Sequence, residues 1–461
     1  MTQDVQSQSP LKHVLIIGGG ASGALFACHL LSDRTRKLKV TLIEKRQNVG
    51  RGVAYCTADP SHLLNVRAAN MSAFPDQPDH FWRWLFAREN NSLPQNCADP
   101  FCFVPRNIYG EYIADLLSAF LDNDNPSRSL RVMRGECVSV EQLESGVTIT
   151  LADGSRERGD IAVIATGHDG SVLCDDYCVD PWTPPAEAGI TPDARMVILG
   201  TGLTMVDHVL SLILSDHRAP IIAMSRHGLQ PRGHRPVQPR PIDRATIPFG
   251  AGPAALLRWL RNAIDENARR GGDWRSVVDG IRPFTQEIWQ SLSVPTRRSL
   301  LEHARSWWDV HRHRMAPEAE ARINDAVASG RLTVLAAKLI AIEPGPTCAV
   351  VRYRRRGQFG IQSMEADRIV DCRQISGVPL RVTNPAVRSL LDAGLARLDP
   401  LGIGIDITPD CAVVDRSGVP SERLFAIGPV TRAAFWEIVA VPDIRNQCAA
   451  LASRLAGVPS K

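Results

Sequence analysis

Closely spaced cysteine pairs are missing from this 461-residue chain: its 11 cysteines are scattered, without a single CxxC. The nearest neighbours are Cys174 with Cys178 and Cys97 with Cys102. In a reducing compartment such residues are expected to be buried thiols. A dominant charge is missing too, with 53 Lys and Arg against 49 Asp and Glu and a formal net charge of +4. So slight an excess makes neither nucleic acid nor an acidic membrane the default partner, although a small anion stays open. No stretch of about eighteen uninterrupted apolar residues occurs, and Met1 to Pro10 is polar with no apolar signal core. The chain is therefore expected to be cytoplasmic, with residues 1–10 a disordered tail. Apolar residues at 44% and charged ones at 22% exclude collagen-like and wholly disordered chains. A mass of 50.5 kDa exceeds one ordinary core and predicts two or three units of about 150 residues each.

What is present starts with Lys12 to Gly23, KHVLIIGGGASG, a buried apolar run that breaks into glycines and continues as the apolar stretch Ala24 to Leu31. This pattern reads as strand, turn and helix. Lys39 to Lys45, KVTLIEK, follows as a second β-branched run and completes a βαβ unit. A helix is predicted from Tyr109 to Leu121, then strands around Leu130 to Val140, Gly146 to Leu151 and Asp160 to Gly167. Pro181, Pro184 and Pro192 mark a boundary. Arg195 to Leu214 repeats strand, glycine turn and helix, and Pro220 to Ser225 supplies the next strand. Gln230 to Arg244 is a loop with four prolines and four arginines, ahead of a helix-favouring stretch rich in Trp, Arg and Ala. The β pattern resumes at Leu332 and ends in Leu424 to Gly428 and a last helix near Pro442 to Leu455. The expected fold class is α/β, two Rossmann-like dinucleotide-binding domains, the second carrying a helical insertion. The first is expected over 11–185 and 335–461, the second over 190–334 with its insertion at about 250–330.

Gly18, Gly20 and Gly23 fit GxGxxG between a strand and a helix. Glycine permits the tight turn, the close approach of backbone to a pyrophosphate and close packing of helix on strand, while the helix N-terminus offers unpaired N–H groups to the phosphates. Ser22 lies inside this turn, and Glu44, at the end of the next strand, can accept bonds from ribose hydroxyls, with Lys45 beside it. The second copy has Gly200 and Gly202 but Met205 where a third glycine is expected; Leu203 and Thr204 open its helix. At the end of its next strand stand Ser225 and Arg226 instead of an acid, which suits a 2′-phosphate and favours NADPH over NADH, NADH remaining open.

Two such units, the first followed by a hydrophobic strand ending in ATG at Ala165 to Gly167, form the layout of two-dinucleotide-binding flavoproteins. More specifically, GRGVAY (Gly50 to Tyr55), HLLNV (His62 to Val66), VPR (Val104 to Arg106), GTGLTMVD (Gly200 to Asp207), SRHGL (Ser225 to Leu229) and WEIVAVPDIR (Trp436 to Arg445) resemble a bacterial family of FAD-NAD(P)-binding proteins. That family is similar in turn to N-hydroxylating and flavin-containing monooxygenases. The resemblance implies FAD in the first unit and NAD(P)H in the second, with Arg106, Gly167, Gly428, Pro429 and Ile444 among the cofactor-binding positions. It also departs from the pattern. LFAIGP carries Pro429 where many relatives of the wider superfamily place an Asp, and DCRQISG (Asp371 to Gly377) stands where a shorter CTG-like turn is common.

With no CxxC suited to disulfide exchange, oxygen chemistry gains weight. The resemblance implies a monooxygenase acting through a C4a-(hydro)peroxyflavin on a small nitrogen-containing substrate, an amine or hydroxylamine, with O2 as co-substrate. Two alternatives stay open: an NAD(P)H-dependent flavin reductase or oxidase, and a non-catalytic flavin-binding sensor. The loop past Glu44 leads towards the flavin ring, so Arg51, His62 and Asn65 are the catalytic candidates there, His62 for proton steering and Asn65 for contact with flavin or substrate. Arg232, Arg235, Arg240 and Arg244 either clamp an anion or form a solvated loop. Trp436 is expected to pack at the entrance of the last helix. His311 and His313 fall on different faces of a helix, so no metal is expected. Trp307 and Trp308 are expected to pack the insertion or an oligomer contact, and a homo-oligomer is allowed.

Overall fold

Lys12–Ile17 pairs on both edges and is buried along its apolar run, the setting of a central parallel strand, and in the computed structural model it forms β1. The structure describes residues 12–33, 37–88, 97, 99–121, 128–167, 177–373 and 382–455. The tail expected at 1–10 and Cys174 lie outside them, as does Gln374 to Gly377 of the DCRQISG segment. After the glycine turn come α1 (Ala21–Ser32) and β2 (Leu38–Glu44), parallel to β1 with Ile17 beside Ile43. Then follow α2 (His80–Ala87), α3 (Arg106–Leu121) and β3 (Arg128–Arg134), which extends the sheet beyond β2. β4 (Cys137–Leu143), β5 (Gly146–Leu151) and β6 (Arg156–Gly159) form a separate antiparallel sheet before β7 (Ile161–Ile164) returns beside β1.

β8 (Cys178–Val179), β9 (Met196–Leu199), α4 (Leu203–Leu214) and β10 (Ile221–Ser225) start the second unit. Between β10 and the next strand run α5 (Pro253–Arg269), α6 (Trp274–Ile281), α7 (Thr285–Ser291), α8 (Val294–Ser299), α9 (Arg305–Arg312) and α10 (Pro317–Ala328). α10 packs on α4 and hands the chain to β11 (Leu332–Pro344), parallel to β10, so it is the crossover helix of this βαβ unit. β12 (Ala349–Arg355) and β13 (Gln362–Ala366) add antiparallel strands, and β14 (Arg368–Asp371) pairs with β9. The second sheet runs β13-β12-β11-β10-β9-β14-β8. The chain then returns through α11 (Pro385–Asp392), β15 (Ala412–Val414), β16 (Pro420–Ala426) and α12 (Val441–Leu455), giving the first sheet the order β15-β16-β7-β1-β2-β3.

These ladders correct two expected boundaries. The return to the first unit comes after Asp371, not at 335, because β11 to β14 all bond into the second sheet. Likewise β8, inside the range expected for the first unit, pairs with β14. Burial patterning predicts such strands but carries no information on which sheet receives them. α1 is buried along most of its length because α3 and α12 cover it, and that position aims its N-terminus at the carboxyl edge of the first sheet. Among the described residues no helix is long and apolar enough to cross a membrane.

Candidate functional site

The first glycine turn is dictated by contacts that a side chain would fill. Gly18 has φ 108°, and a Cβ there would lie 2.5 Å from the Ala165 carbonyl oxygen; at Gly23 it would lie 2.0 Å from the Gly18 carbonyl oxygen. Gly20 caps α1 without any side-chain hydrogen bond, so the first N–H groups of the helix have no side-chain acceptor. The loop at Gly50–Gly52 crosses this turn: the Gly50 N–H donates to the Gly19 oxygen at 2.7 Å, and a Cβ on Gly20 would sit 3.3 Å from Gly52 Cα. Arg51 is carried on that loop and its guanidinium has no partner among the described residues. Glu44 is buried at the end of β2, where Oε1 accepts the Arg46 N–H at 2.9 Å. Lys45 pairs with Glu136 at 2.8 Å. Gly428 presses on Ser22, for a Cβ there would be 2.4 Å from Ser22 Oγ, and among the described residues nothing lies within 4 Å of a would-be Cβ on Gly167. Pro429 begins a short turn beside Gly428, whose N–H donates to Gln447 Oε1 at 2.7 Å. Ile444 is in the core, its N–H bonded to the Ala440 oxygen, so neither its side chain nor its amide is free for a cofactor.

The second turn is built alike. Gly200 has φ 108° and its missing Cβ would lie 2.8 Å from the Cys372 carbonyl oxygen. Gly202 caps α4 with no side-chain bond, is exposed, and among the described residues has nothing within 4 Å of a would-be Cβ, an open cradle at a helix N-terminus. Thr204 and Leu203 stand in the first turn of α4, Leu203 packing on the core beneath. Ser225 is occupied internally: its Oγ lies 2.9 Å from Thr201 Oγ1 and accepts from the Gly228 N–H at 3.0 Å. Arg226 is exposed and unpaired among the described residues. Sequence reading missed its neighbour Arg356, just past β12. The Arg356 N–H donates to the oxygen of Ala336, the residue across the ladder from Ser225, and Arg356 Nη1 donates to His227 Nδ1 at 3.0 Å. Burial and then Arg356 lower the His227 pKa, so the ring is a neutral acceptor. Two guanidinium groups therefore stand at the end of β10.

The segment after Glu44 does not present His62 to an open cleft. His62 is buried, with Nδ1 2.8 Å from Thr57 Oγ1 and Nε2 2.8 Å from Ser211 Oγ on α4. Both ring nitrogens are thus engaged, one by Thr57 and one by Ser211. Arg106 is also engaged: its Nη2 pairs with the Asp207 carboxylate at 2.8 Å. Burial pushes the Asp207 carboxyl up, and Arg106 opposes that shift. Asn65 offers its backbone oxygen to His234 Nε2 at 3.1 Å, while its side-chain amide has no partner among the described residues.

The entrance of α12 is gripped by the insertion. Trp436 stacks on Trp289 at 4.5 Å, and Trp289 Nε1 donates to the Ala433 oxygen at 2.8 Å. Glu437 has φ 66°, a left-handed backbone that favours glycine, and its buried carboxylate accepts from Arg312 Nε at 2.9 Å and from Trp308 Nε1. Arg282 pairs with Asp443 at 3.1 Å. Trp308 thus serves this contact, whereas Trp307 is largely exposed. In the proline-rich loop, Arg235, Arg240 and Arg244 pair with Glu320, Glu266 and Glu287, so three of the four arginines are structural ties and no anion clamp. Cys97 and Cys102 are joined as a disulfide, against the expectation of free thiols. Neither the spacing nor the composition around them distinguishes the two states.

No curated relative matches the chain in sequence. Residues 15–169 match the family model described as FAD-NAD(P)-binding. In structure the chain is similar to the cadaverine monooxygenase DfoA of Erwinia amylovora, bound to FAD, at 11% identity and TM-score 0.64, covering 98% of this chain and 97% of that one. It is similar to the ornithine N-hydroxylase KtzI of Kutzneria sp. 744 at 12% identity and TM-score 0.63, covering 97% and 99%. It is also similar to thioredoxin reductase of Lactococcus lactis at 11% identity and TM-score 0.53, covering 97% and 98%, so one fold serves two chemistries. Residues 15–169 thus resemble an FAD-NAD(P)-binding domain, and the chain as a whole shares the fold of two-dinucleotide-binding-domain flavoproteins.

Proposed function

We propose that this protein is an FAD-dependent, NADPH-using monooxygenase that oxidises a small nitrogen-containing substrate of the amine or hydroxylamine type. The observation that carries the reading is the pair of glycine turns, each leading into a helix whose N-terminus has no side-chain cap, in one chain with the architecture of N-hydroxylating flavoenzymes. The uncapped N–H groups of α1, with Arg51 on the crossing loop, suit the FAD diphosphate, and Glu44 suits the adenosine ribose. At α4 the open cradle at Gly202 and Thr204 suits the NADPH diphosphate, and Arg226 with Arg356 suits its 2′-phosphate. The first turn of α12 would supply positive dipole to a flavin ring bound before it. The Asn65 amide is the polar group left to orient the substrate or a flavin carbonyl. When bound, the flavin takes a hydride from NADPH and supplies the electrons that let one oxygen atom of O2 reach the substrate nitrogen, the other leaving as water.

One observation favours a second reading. Cys97 and Cys102 form a disulfide, and the Cys102 carbonyl oxygen accepts the Ala68 N–H at 3.0 Å, so electrons from NADPH could instead reduce the disulfide to two thiols, as in a reductase. Anaerobic NADPH followed by air separates the two. The monooxygenase reading expects bleaching of the flavin, no new thiols, and NADPH-dependent oxygen uptake matched by product with one member of a panel of primary amines and hydroxylamines. Two new thiols per chain with no oxygenated product support the reductase, and a flavin that NADPH does not bleach refutes both.

A further inference from the structure

Three of the sequence segments singled out above meet at one buried point between the two nucleotide-binding units. HLLNV brings His62, VPR brings Arg106, and GTGLTMVD brings Asp207. Around His62, the hydrogen bonds of Thr57, Asp59, His62 and Ser211 close into a ring. Ser211 Oγ–H donates to the Asp59 carboxylate, so its oxygen is the acceptor for His62 Nε2–H at 2.8 Å. His62 Nδ1 lies 2.8 Å from Thr57 Oγ1, and Thr57 Oγ1 accepts the Asp59 N–H at 3.2 Å. Beside the ring, Arg106 bonds the first unit to itself through His62 and Leu63 carbonyl oxygens, at 2.8 and 3.1 Å. Its remaining Nη2 reaches across to Asp207 of α4, both side chains about nine-tenths buried.

Apolar groups seat the same segment. Leu63 and Phe103, joined through a β-bridge between Leu63 and Pro105, pack into the hydrophobic core of the second unit. From the opposite side His234 Nε2–H donates to the Asn65 oxygen, and Arg67 Nη2 donates to the Arg235 oxygen at 2.7 Å. A tab of the first unit is thus held between α4 and the proline-rich strap of the second. Apolar contacts alone would tolerate sliding. A closed ring and a buried ion pair hold one register, and a shift would leave a buried charge unpaired.

We infer that His62, Arg106 and Asp207 form a latch that sets the orientation of the second nucleotide-binding unit on the first, and that they act as positioning residues for hydride transfer between the two carriers. The inference rests on the proposed use of FAD and NADPH. Transfer requires the reacting atoms to approach closely, and small misplacements cost rate steeply. The tab continues the chain that crosses the first glycine turn at Gly50–Gly52, so the latch ties the seat of the second unit to the loop over the first cofactor.

The test uses the FAD-loaded protein with spin labels at Glu144→Cys, on the hairpin of the first unit, and Arg322→Cys, on α10, with exposed Cys56 replaced by Ser. Arg106→Met and Asp207→Asn are expected to keep the flavin and to bind NADPH within about threefold of the parent. The saturated rate of flavin reduction should fall about tenfold or more, and the label-to-label distance distribution should broaden. Arg106→Lys should restore a narrower distribution. Ser211→Ala keeps the ion pair and opens the ring, and it decides by the same two measurements if the charged-site variants fail to fold. A distance distribution unchanged in flavin-loaded variants overturns the latch, whatever the rate does. If NADPH fails to reduce the parent flavin, the proposed function falls, while the distance distribution still decides whether the latch exists.

Discussion

Replacing Arg226 and Arg356 by Ala together should abolish the preference for NADPH over NADH. Both side chains are exposed at the carboxyl end of β10, Arg226 directly after Ser225 and Arg356 beside it through Ala336 and His227. A hydrogen bond from a charged donor to phosphate contributes roughly 1.5–3 kcal/mol when shielded, and exposure to water and salt brings each of these nearer to 1 kcal/mol. Together they amount to about 2 kcal/mol, or roughly a 30-fold rise in the Kd for NADPH. NADH lacks the 2′-phosphate and should bind within about twofold of its parent affinity. Anaerobic fluorescence titration with each carrier at low and at high salt measures both constants. The parent preference should shrink with salt because the pairing is exposed, while the double variant should show little salt dependence. Equal weakening of both carriers would place the arginines in the fold or at the diphosphate, and unchanged NADPH affinity would refute the assignment outright.

Gly23→Ala should give a folded chain that fails to retain FAD, because the new methyl group would lie 2.0 Å from the Gly18 oxygen and force the turn open; a yellow preparation with full flavin content refutes this. The protein should lose stability in mild acid. Burial, with Arg312 beside it, pushes His313 down to about 4, and burial with Arg314 pushes His234 down to about 3. Both remain neutral when folded but take up a proton near 6.5 when unfolded, so stability is complete above that pH and falls as pH drops towards 4, by up to ~1.4 kcal/mol per pH unit for each. Melting temperatures from pH 7 to 5 should show the decline and His313→Gln should flatten it, whereas a level profile in the parent contradicts the burial of these rings.

The parts legible in the sequence were those written locally. Gly18 to Glu44 announces its βαβ unit because strand, turn and acid follow one another within a single supersecondary element, and Gly200 to Arg226 does the same in weaker form. Residues joined only by tertiary structure were not legible. Arg356 reaches the end of β10 because the β11–β12 hairpin folds back there, and nothing in RRR beside Gly357 points to Ser225. His62 reads as a proton-steering group on the segment after Glu44, and Arg106 as a cofactor ligand from the VPR resemblance; their partners, Ser211 and Asp207, are more than a hundred residues away. Return of the chain after Asp371 was hidden for a similar reason, since Arg368–Asp371 carries the same apolar signature that a strand of either sheet requires.

The first sheet draws its strands from both ends of the polypeptide, with β7 flanked by β1 on one side and β16 on the other. During synthesis, β1, β2, β3 and β7 leave the ribosome with one edge of β7 unpaired and α1 bare on the side that α12 later covers. At translation speeds of about 5–20 residues per second, that edge waits on the order of ten to sixty seconds for its neighbour. The second unit, whose strands are contiguous from β8 to β14, can mature meanwhile. Newly made chains should therefore be most prone to sticking together in this interval, and co-expressed holdase chaperones should raise the yield of full-length protein more than they raise that of the 177–373 segment.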